Sequence, residues 1–338
     1  MKRFSVGIVG AGVVTQNTHL PVLCSMPNVN VAWLTDADAI KARQIAEAYG
    51  VPHVELPQSP RELPECDVVL LAIPLPPRGF YYEQLAARGT AVFAEKPFAI
   101  NNQDHQRFQQ LFPSYKIGCG YMRRMYSTNR LFHQIVKEAW FGPLHRIHIR
   151  EGGRTTKTGV DQSYQDLSIK DGGGILINLG CHLLDLAFFI SGAQDFIVNA
   201  NEVVFDGNTD RKAQGNITLL SSHGHADKRC QFDFCVSWLD NQANTVELEF
   251  EKLVLVGPIS PGGTIEVWNA NKDRLLARLE SGEKEGAITS NQAFFLEWRE
   301  FLQGLEDLRP SIVSAGASEV TANLIDRLLS ENKLGAGK

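Results

Sequence analysis

The chain reads as an α/β protein, with a doubly wound parallel sheet at its N-terminus followed by an α+β domain built on a largely antiparallel open sheet. Three observations predict this. From Met1 to Tyr121 short apolar runs alternate with helical stretches, the order that makes parallel strands joined by crossover helices. From Phe196 to Leu279 the runs have mixed or alternating polarity, spaced as an antiparallel sheet requires. A length of 338 residues exceeds the span of one compact core, so two domains are expected, residues 1–121 and 122–338.

Taken in order, Phe4–Val9 is an apolar run that stops at Gly10, and Val14–Cys24 continues as a helix. Val29–Thr35 is the second strand, and Ala37–Tyr49 is helical, with Ile40, Ala42, Ile45, Ala46 and Tyr49 apolar. Asp67–Ile73 (DVVLLAI) is rich in Val, Leu and Ile without alternation, as a strand covered on both faces should be. Phe80–Arg88 is a helix closed by Gly89, Ala91–Ala94 a strand, Gln103–Leu111 a helix and Tyr115–Gly118 the last strand of this half. A helix at Asn129–Ala139, a turn at Gly142 and a strand at His145–Glu151 follow. In GGGILINLGCHLLDL (Gly172–Leu186) three glycines would be costly inside a helix, so they mark a close backbone approach, and the helix starts near Ile175. The antiparallel strands are Ile197–Val204, Gln214–Leu220, Gln231–Trp238, Thr245–Phe250 and Thr264–Trp268. Amphipathic helices at Phe294–Leu305 and Ser318–Leu329 close the chain, and Leu334–Lys338 is a frayed tail.

Composition narrows the function. Hydrophobic residues make up 43% and charged residues 21%, enough apolar surface for a sizeable core. The net charge of −5, with both signs interspersed, argues against nucleic acid or an anionic membrane as partner. No stretch is apolar for the ~18 residues a membrane span needs, and MKRFSVGIVG runs into a strand rather than a leader. The six cysteines are scattered, with no C-x-x-C pair and no metal-ligand spacing. Reduced thiols, a cytoplasmic location and no metal are expected.

Four local signals carry chemistry. Gly10 and Gly12 follow the first strand directly, where one glycine makes a tight turn and the other lets a pyrophosphate approach the start of the next helix. Thr15 occupies the third glycine position of that fingerprint. Asp36 ends the second strand, where a carboxylate accepts from the ribose hydroxyls of NAD and repels the 2′-phosphate of NADP. The competing reading makes Asp36 a helix N-cap, work that Thr35 or Asp38 could also do, and Lys41 and Arg43 nearby weigh toward NADP. In Ala94-Glu95-Lys96-Pro97 a lysine at the ligand edge of the sheet could reach a bound nicotinamide; alternatively it is a surface lysine paired with Glu95. Asn178, His182 and Asp185, at i, i+4 and i+7, share one helical face, either as an active-site wall or as satisfied polar groups of a core helix.

These motifs occur in one order together with LLAIP (Leu70–Pro74), GYMRR (Gly120–Arg124) and FGPLHRI (Phe141–Ile147). In that order and spacing the chain resembles the Gfo/Idh/MocA oxidoreductase family over nearly its whole length. The resemblance implies a Rossmann domain, and a C-terminal domain whose open sheet joins homodimers or homotetramers. It implies hydride transfer between NAD(P) and a carbinol carbon of a sugar, cyclitol or nucleotide sugar. The cofactor contacts it implies are Gly10, Gly12, Val13, Val14, Asp36, Ala72, Pro74 and Glu95. Lys96 matches the family's active-site lysine, and His182 its usual general acid/base. Asn178 stands where many members carry an aspartate paired with that histidine, although some members acting on nucleotide-linked sugars also have Asn. Arg123 matches a position near the substrate, and Arg78 stands where a histidine is common. Lys96, Arg123, Asn178 and His182 thus form the implied substrate set, with GGGILINLGCHLLDL as a wall facing Lys96. Specificity falls to the loop Thr155–Asp171, which carries Lys157, Asp161, Tyr164, Asp166 and Lys170. The alternatives are a non-catalytic NAD-binding regulator and an NAD-dependent glycosidase on the same fold.

Overall fold

A computed structural model describes residues 2–154, 167–221 and 228–333. The chain divides into two compact units, Met1–Tyr121 with Phe294–Glu319, and Met122–Ala293 with Val320–Lys338.

In the first unit β1 (Phe4–Val9), β2 (Val29–Thr35), β3 (Val68–Leu71), β4 (Ala91–Glu95) and β5 (Ile117–Gly120) form a parallel sheet in the order β2-β1-β3-β4-β5. The helices are α1 (Leu20–Ser25), α2 (Ala39–Tyr49), α3 (Arg78–Ala87) and α4 (Asn102–Gln109). Strand residues Val6, Ile8, Val68, Leu70, Val92 and Phe93 are all fully buried, which is why their sequence does not alternate. The chain leaves β1 in one direction toward β2 and in the other toward β3, so a ligand crevice is expected at the carboxyl ends of β1 and β3.

Phe294–Glu319, which chain order alone assigns to the second domain, belongs to this first unit. In α7 (Ser290–Glu306) the residues Phe294, Trp298, Phe301 and Leu302 are buried at i, i+4, i+7 and i+8, one face of a helix. Trp298 and Phe301 lie on Phe93 of β4, with ring centroids 4.5 and 5.2 Å away. Periodicity revealed the apolar face of this helix; which half of the chain it would cover is a matter of tertiary pairing.

The second unit holds α5 (Ser127–Lys137), β6 (Arg146–Gly152), α6 (Cys181–Ser191), β7 (Asp195–Asp206), β8 (Thr209–Ser221), β9 (Lys228–Ser237) and β10 (Thr245–Glu249). It continues with β11 (Leu253–Pro258), β12 (Gly263–Asn269), β13 (Leu275–Ser281) and α8 (Glu319–Lys333). The sheet order is β13-β12-β11-β10-β6-β9-β8-β7, and only β6 and β9 run parallel. Strands β11 and β13 add to those the sequence indicated. The turn before β11 is Glu251-Lys252, without the Gly or Asn that marks a hairpin, and β13 is an edge strand with Leu276, Ala277 and Arg278 all exposed. On β6, Ile147, Ile149 and Glu151 are buried while Arg146, His148 and Arg150 are not, so the strand faces inward every second residue.

Candidate active site

At the carboxyl edge of the first sheet, Gly10 has φ 107°, and a Cβ there would lie 2.3 Å from the Ala72 carbonyl oxygen. The ends of β1 and β3 therefore approach too closely for any side chain. Thr15, in place of the third fingerprint glycine, folds its hydroxyl back onto the turn and donates to the Gly10 carbonyl at 2.7 Å. It opens a single wide i→i+5 turn, Thr15–His19, that leads into α1. A Cβ at Gly12 would meet no protein atom within 4 Å, so packing inside the protein does not demand glycine there. Asp36 accepts from the Ala11 N–H at 2.5 Å and from the Asp38 N–H at 2.9 Å, which fixes its carboxylate beside the glycine turn. Asp38 is the N-cap of α2, accepting from the Lys41 N–H, so Asp36 is not needed as a cap. Arg43 is engaged by Glu55 at 2.9 Å. Val13 and Pro74 are exposed, and Val14 and Ala72 half-buried.

The AEKP segment ends β4 and is held from two sides. Trp298 donates its indole N–H to His19 Nδ1 at 3.0 Å; an indole can only donate, so the imidazole proton sits on Nε2, which faces Glu95 Oε1 at 2.7 Å. The other Glu95 oxygen accepts from the Lys96 N–H at 3.2 Å. Burial alone would push the Glu95 carboxyl up, but His19, Lys96 and Arg78 outweigh it and hold the group below the ordinary carboxylate range. Glu95, implied as a cofactor contact, thus spends both oxygens inside the protein, where they shape the loop that carries Lys96. Arg78 supplies the second hold: it is buried and donates to the carbonyls of Ile73, Glu95 and Pro97.

In the second unit each glycine of the triplet has its own cause. Gly172 has φ 85° and closes the short turn Ile169–Asp171. A Cβ on Gly173 would sit 2.1 Å from the Leu167 carbonyl oxygen. Gly174 has φ 96°, and its Cβ would sit 1.7 Å from Asp210 Oδ1. Asp210, fully buried on β8, accepts from the Leu176 N–H at 2.8 Å and so satisfies a donor at the helix start. The first turn, Leu176–Gly180, is again an i→i+5 turn, a feature frequent at functional sites. It carries Asn178, half-buried, and the α-helix that follows carries His182, 9% exposed.

Asp185 is engaged inside the protein. Its carboxylate takes Nε of Arg124 at 2.8 Å and a second, shorter bond from Nη2, and Thr321 donates to it at 3.4 Å. A helix buried nearly all round has no solvent face to hold a carboxylate, so Asp185 finds a buried cation instead. Arg123 is also paired inside its unit: Nη1 and Nη2 bind the two Glu151 oxygens at 2.6 and 2.7 Å. Burial would lower the guanidinium, but Glu151 raises it above its ordinary value. Glu151, Arg124 and Asp210 were missed in the sequence. One signal could have found Glu151, because an acid at an inward position of an alternating strand calls for a cation. Lys157, Asp161, Tyr164 and Asp166 lie outside the described residues, and Lys170 is exposed.

Among the described residues, His148, Glu247 and Glu249 bring potential metal-ligand atoms within 4.8 Å of one another. The protein's own groups already engage them, Glu249 on His148 at 2.8 Å and Lys272 on Glu247 at 2.6 Å. Lys96 belongs to the first unit, and Asn178 and His182 to the second.

Residues 4–128 match the model of an oxidoreductase family with an NAD-binding Rossmann fold. The chain is 24% identical over 211 residues to the rhizopine catabolism protein MocA of Rhizobium meliloti, covering 61% of this chain and 64% of that one. It is 27% identical over 198 residues to D-glucoside 3-dehydrogenase of Escherichia coli, covering 55% and 54%. The matched stretches thus span less than two thirds of these relatives. A 3-ketoreductase from Actinomadura kijaniata, solved with NADP and TDP-benzene, superposes with a TM-score of 0.79 over 97% of this chain and 98% of that one. At 16% identity that likeness shows the fold.

Proposed function

We propose that this chain, which in residues 4–128 belongs to the Gfo/Idh/MocA oxidoreductase family, transfers a hydride between a nicotinamide cofactor and a carbinol carbon of a sugar, cyclitol or nucleotide sugar. The observation that carries the reading is the glycine turn at the end of β1, open on the outer side of Gly12, with the Asp36 carboxylate fixed beside it. A glycine that packing does not demand, at a helix start, fits the close approach of a pyrophosphate. The cofactor, when bound, supplies the hydride donor or acceptor. Asp36 would accept from ribose hydroxyls and disfavour a 2′-phosphate, and Arg43, occupied by Glu55, is a weak rival for that phosphate; NAD is therefore the proposed cofactor over NADP. Val13, Val14, Ala72 and Pro74, all at least partly exposed, are the proposed lining of the approach.

His182 takes the hydroxyl proton when the alcohol is oxidised and returns it in the reverse direction. Lys96 orients the carbinol oxygen and stabilises its developing negative charge. Asn178, close in sequence to His182 on the same helical segment, hydrogen-bonds the imidazole or a neighbouring hydroxyl. Arg123, held in place by Glu151, completes the proposed substrate set with Lys96, Asn178 and His182. The relatives, a D-glucoside dehydrogenase and a protein of rhizopine catabolism, support a sugar-like substrate.

We further propose a cytoplasmic homodimer or homotetramer joined through the open sheet face. Its support is a face carrying Arg146, His148, Asp233 and Glu249 in contact with one another, and six cysteines that are all free. Light scattering reads the assembly directly. For the chemistry, Lys96→Met and His182→Ala should each lower turnover by about 10²–10⁴-fold and leave NAD affinity nearly intact. Near-normal turnover in both variants contradicts the assignment.

A further inference from the structure

Lys96 stands where β4 gives way to a loop, and the peptide carbonyls on either side of it share one donor. Nη1 of Arg78 donates to the Glu95 carbonyl and, at 2.6 Å, to the Pro97 carbonyl. The remaining edge of the same guanidinium, Nε and Nη2, grips the Ile73 carbonyl just beyond β3 at 2.9 and 2.8 Å. Arg78 opens α3 and is 4% exposed. One planar fork therefore ties together the carboxyl ends of two neighbouring strands, and it straddles the lysine. The acceptors are all backbone carbonyls, which cannot swing away as side chains can.

We propose that Arg78 is a positioning residue for Lys96: by fixing the peptide groups before and after the lysine, its fork sets where the ammonium stands. This rests on the role given to Lys96 above. Arg78 touches no reacting atom and acts only through the lysine. Geometry of this kind matters for rate, because a misplacement of about 1 Å can cost about 100-fold in turnover. Lysine cannot replace the fork, since a single ammonium lacks the rigid spread of donors that reaches three carbonyls.

Two variants test it in the full-length protein. Arg78→Lys keeps the charge and loses the fork; Arg78→Gln loses the charge and most of the donors. For both, kcat on whichever cyclitol, sugar or nucleotide sugar the wild type turns over should fall about 100-fold, with KM and NAD affinity within about threefold. A second readout needs no substrate. Trace acetylation by acetic anhydride, followed by peptide mass spectrometry, should label Lys96 at least about fivefold faster relative to Lys41 of α2 than in the wild type, because the loop is no longer pinned. A merely structural brace would lower the melting temperature but leave kcat and the Lys96/Lys41 labelling ratio unchanged. That result in a folded variant overturns the proposal, as does wild-type behaviour of Arg78→Lys. If Arg78→Gln does not fold, Arg78→Lys alone decides between the two outcomes. Should Lys96→Met retain turnover, the functional reading fails, while the labelling ratio still reports on Arg78 separately.

Discussion

Substituting Gly174 by alanine is the sharpest test of why the glycine triplet exists. The residue sits at φ 96°, a region where an L side chain is strained by about 1–3 kcal/mol. The added Cβ would lie 1.7 Å from Asp210 Oδ1 and 2.8 Å from its Cγ, so the carboxylate must move. Its other oxygen holds the Leu176 N–H, and losing that cap costs about 1 kcal/mol. Asp210 is fully buried, so displacing it adds about 1 kcal/mol or more for poorer hydrogen bonding. The total is about 3–5 kcal/mol, at the high end for one methyl group. Gly172→Ala meets a positive φ of 85° without the Asp210 contact and should cost about 1–2 kcal/mol from backbone strain. Urea unfolding followed by tryptophan fluorescence and circular dichroism measures both. A Gly174→Ala protein within about 1 kcal/mol of wild type, or less affected than Gly172→Ala, rules out this origin for the third glycine. Pairing Gly174→Ala with Asp210→Ala should cost less than the sum of the single changes, since both disturb one contact.

Breaking the buried pair by Arg124→Met should destabilise by about 3–5 kcal/mol, whereas Arg43→Met at the exposed Glu55 pair should cost about 1 kcal/mol at most; the same unfolding assay reads both. Asp36→Ser should weaken NAD binding by about tenfold and narrow its preference over NADP, as followed by fluorescence titration of each cofactor. Stability should depend on pH through His105 and His133. Burial pulls both below 6.5, with the Ala315 and Phe189 carbonyls pulling back. Their folded pKa is depressed, so the stability they contribute is complete above 6.5 and is lost as pH falls through the folded value, where the folded state too takes up the proton. His105→Gln should flatten the decline in unfolding free energy below 6.5; an unchanged slope contradicts the burial argument.

The parts of the fold that the sequence revealed are those written in local pattern. DVVLLAI declares a strand covered on both sides, and GGG before an apolar run declares a backbone squeezed at a helix start. What stayed hidden depends on pairing between distant residues. Arg124 and Asp185 lie far apart in the chain, so helical periodicity could mark Asp185 as a polar residue of an apolar helix but could not name its partner. The two arginines of GYMRR look alike in sequence, yet each neutralises a different buried carboxylate. Arg78 stood out only as an arginine where the family commonly has histidine; its role stayed hidden because its acceptors are backbone carbonyls, which every residue possesses. The AEKP lysine could be marked from its place at a strand end, but the His19–Glu95 contact that supports its loop joins residues from opposite ends of the N-terminal unit's sequence.

Hydride transfer to or from a sugar-like carbinol is tested most directly by incubating the wild-type protein with NAD and a panel of cyclitols, free sugars and nucleotide sugars, and following NADH by its absorbance. NADH should accumulate with one class of compound, together with the corresponding ketone, and Lys96→Met should abolish the signal. Binding of NAD without NADH from any compound would point to a regulator, and glycoside cleavage without net NADH to a glycosidase; either result contradicts the proposed dehydrogenase.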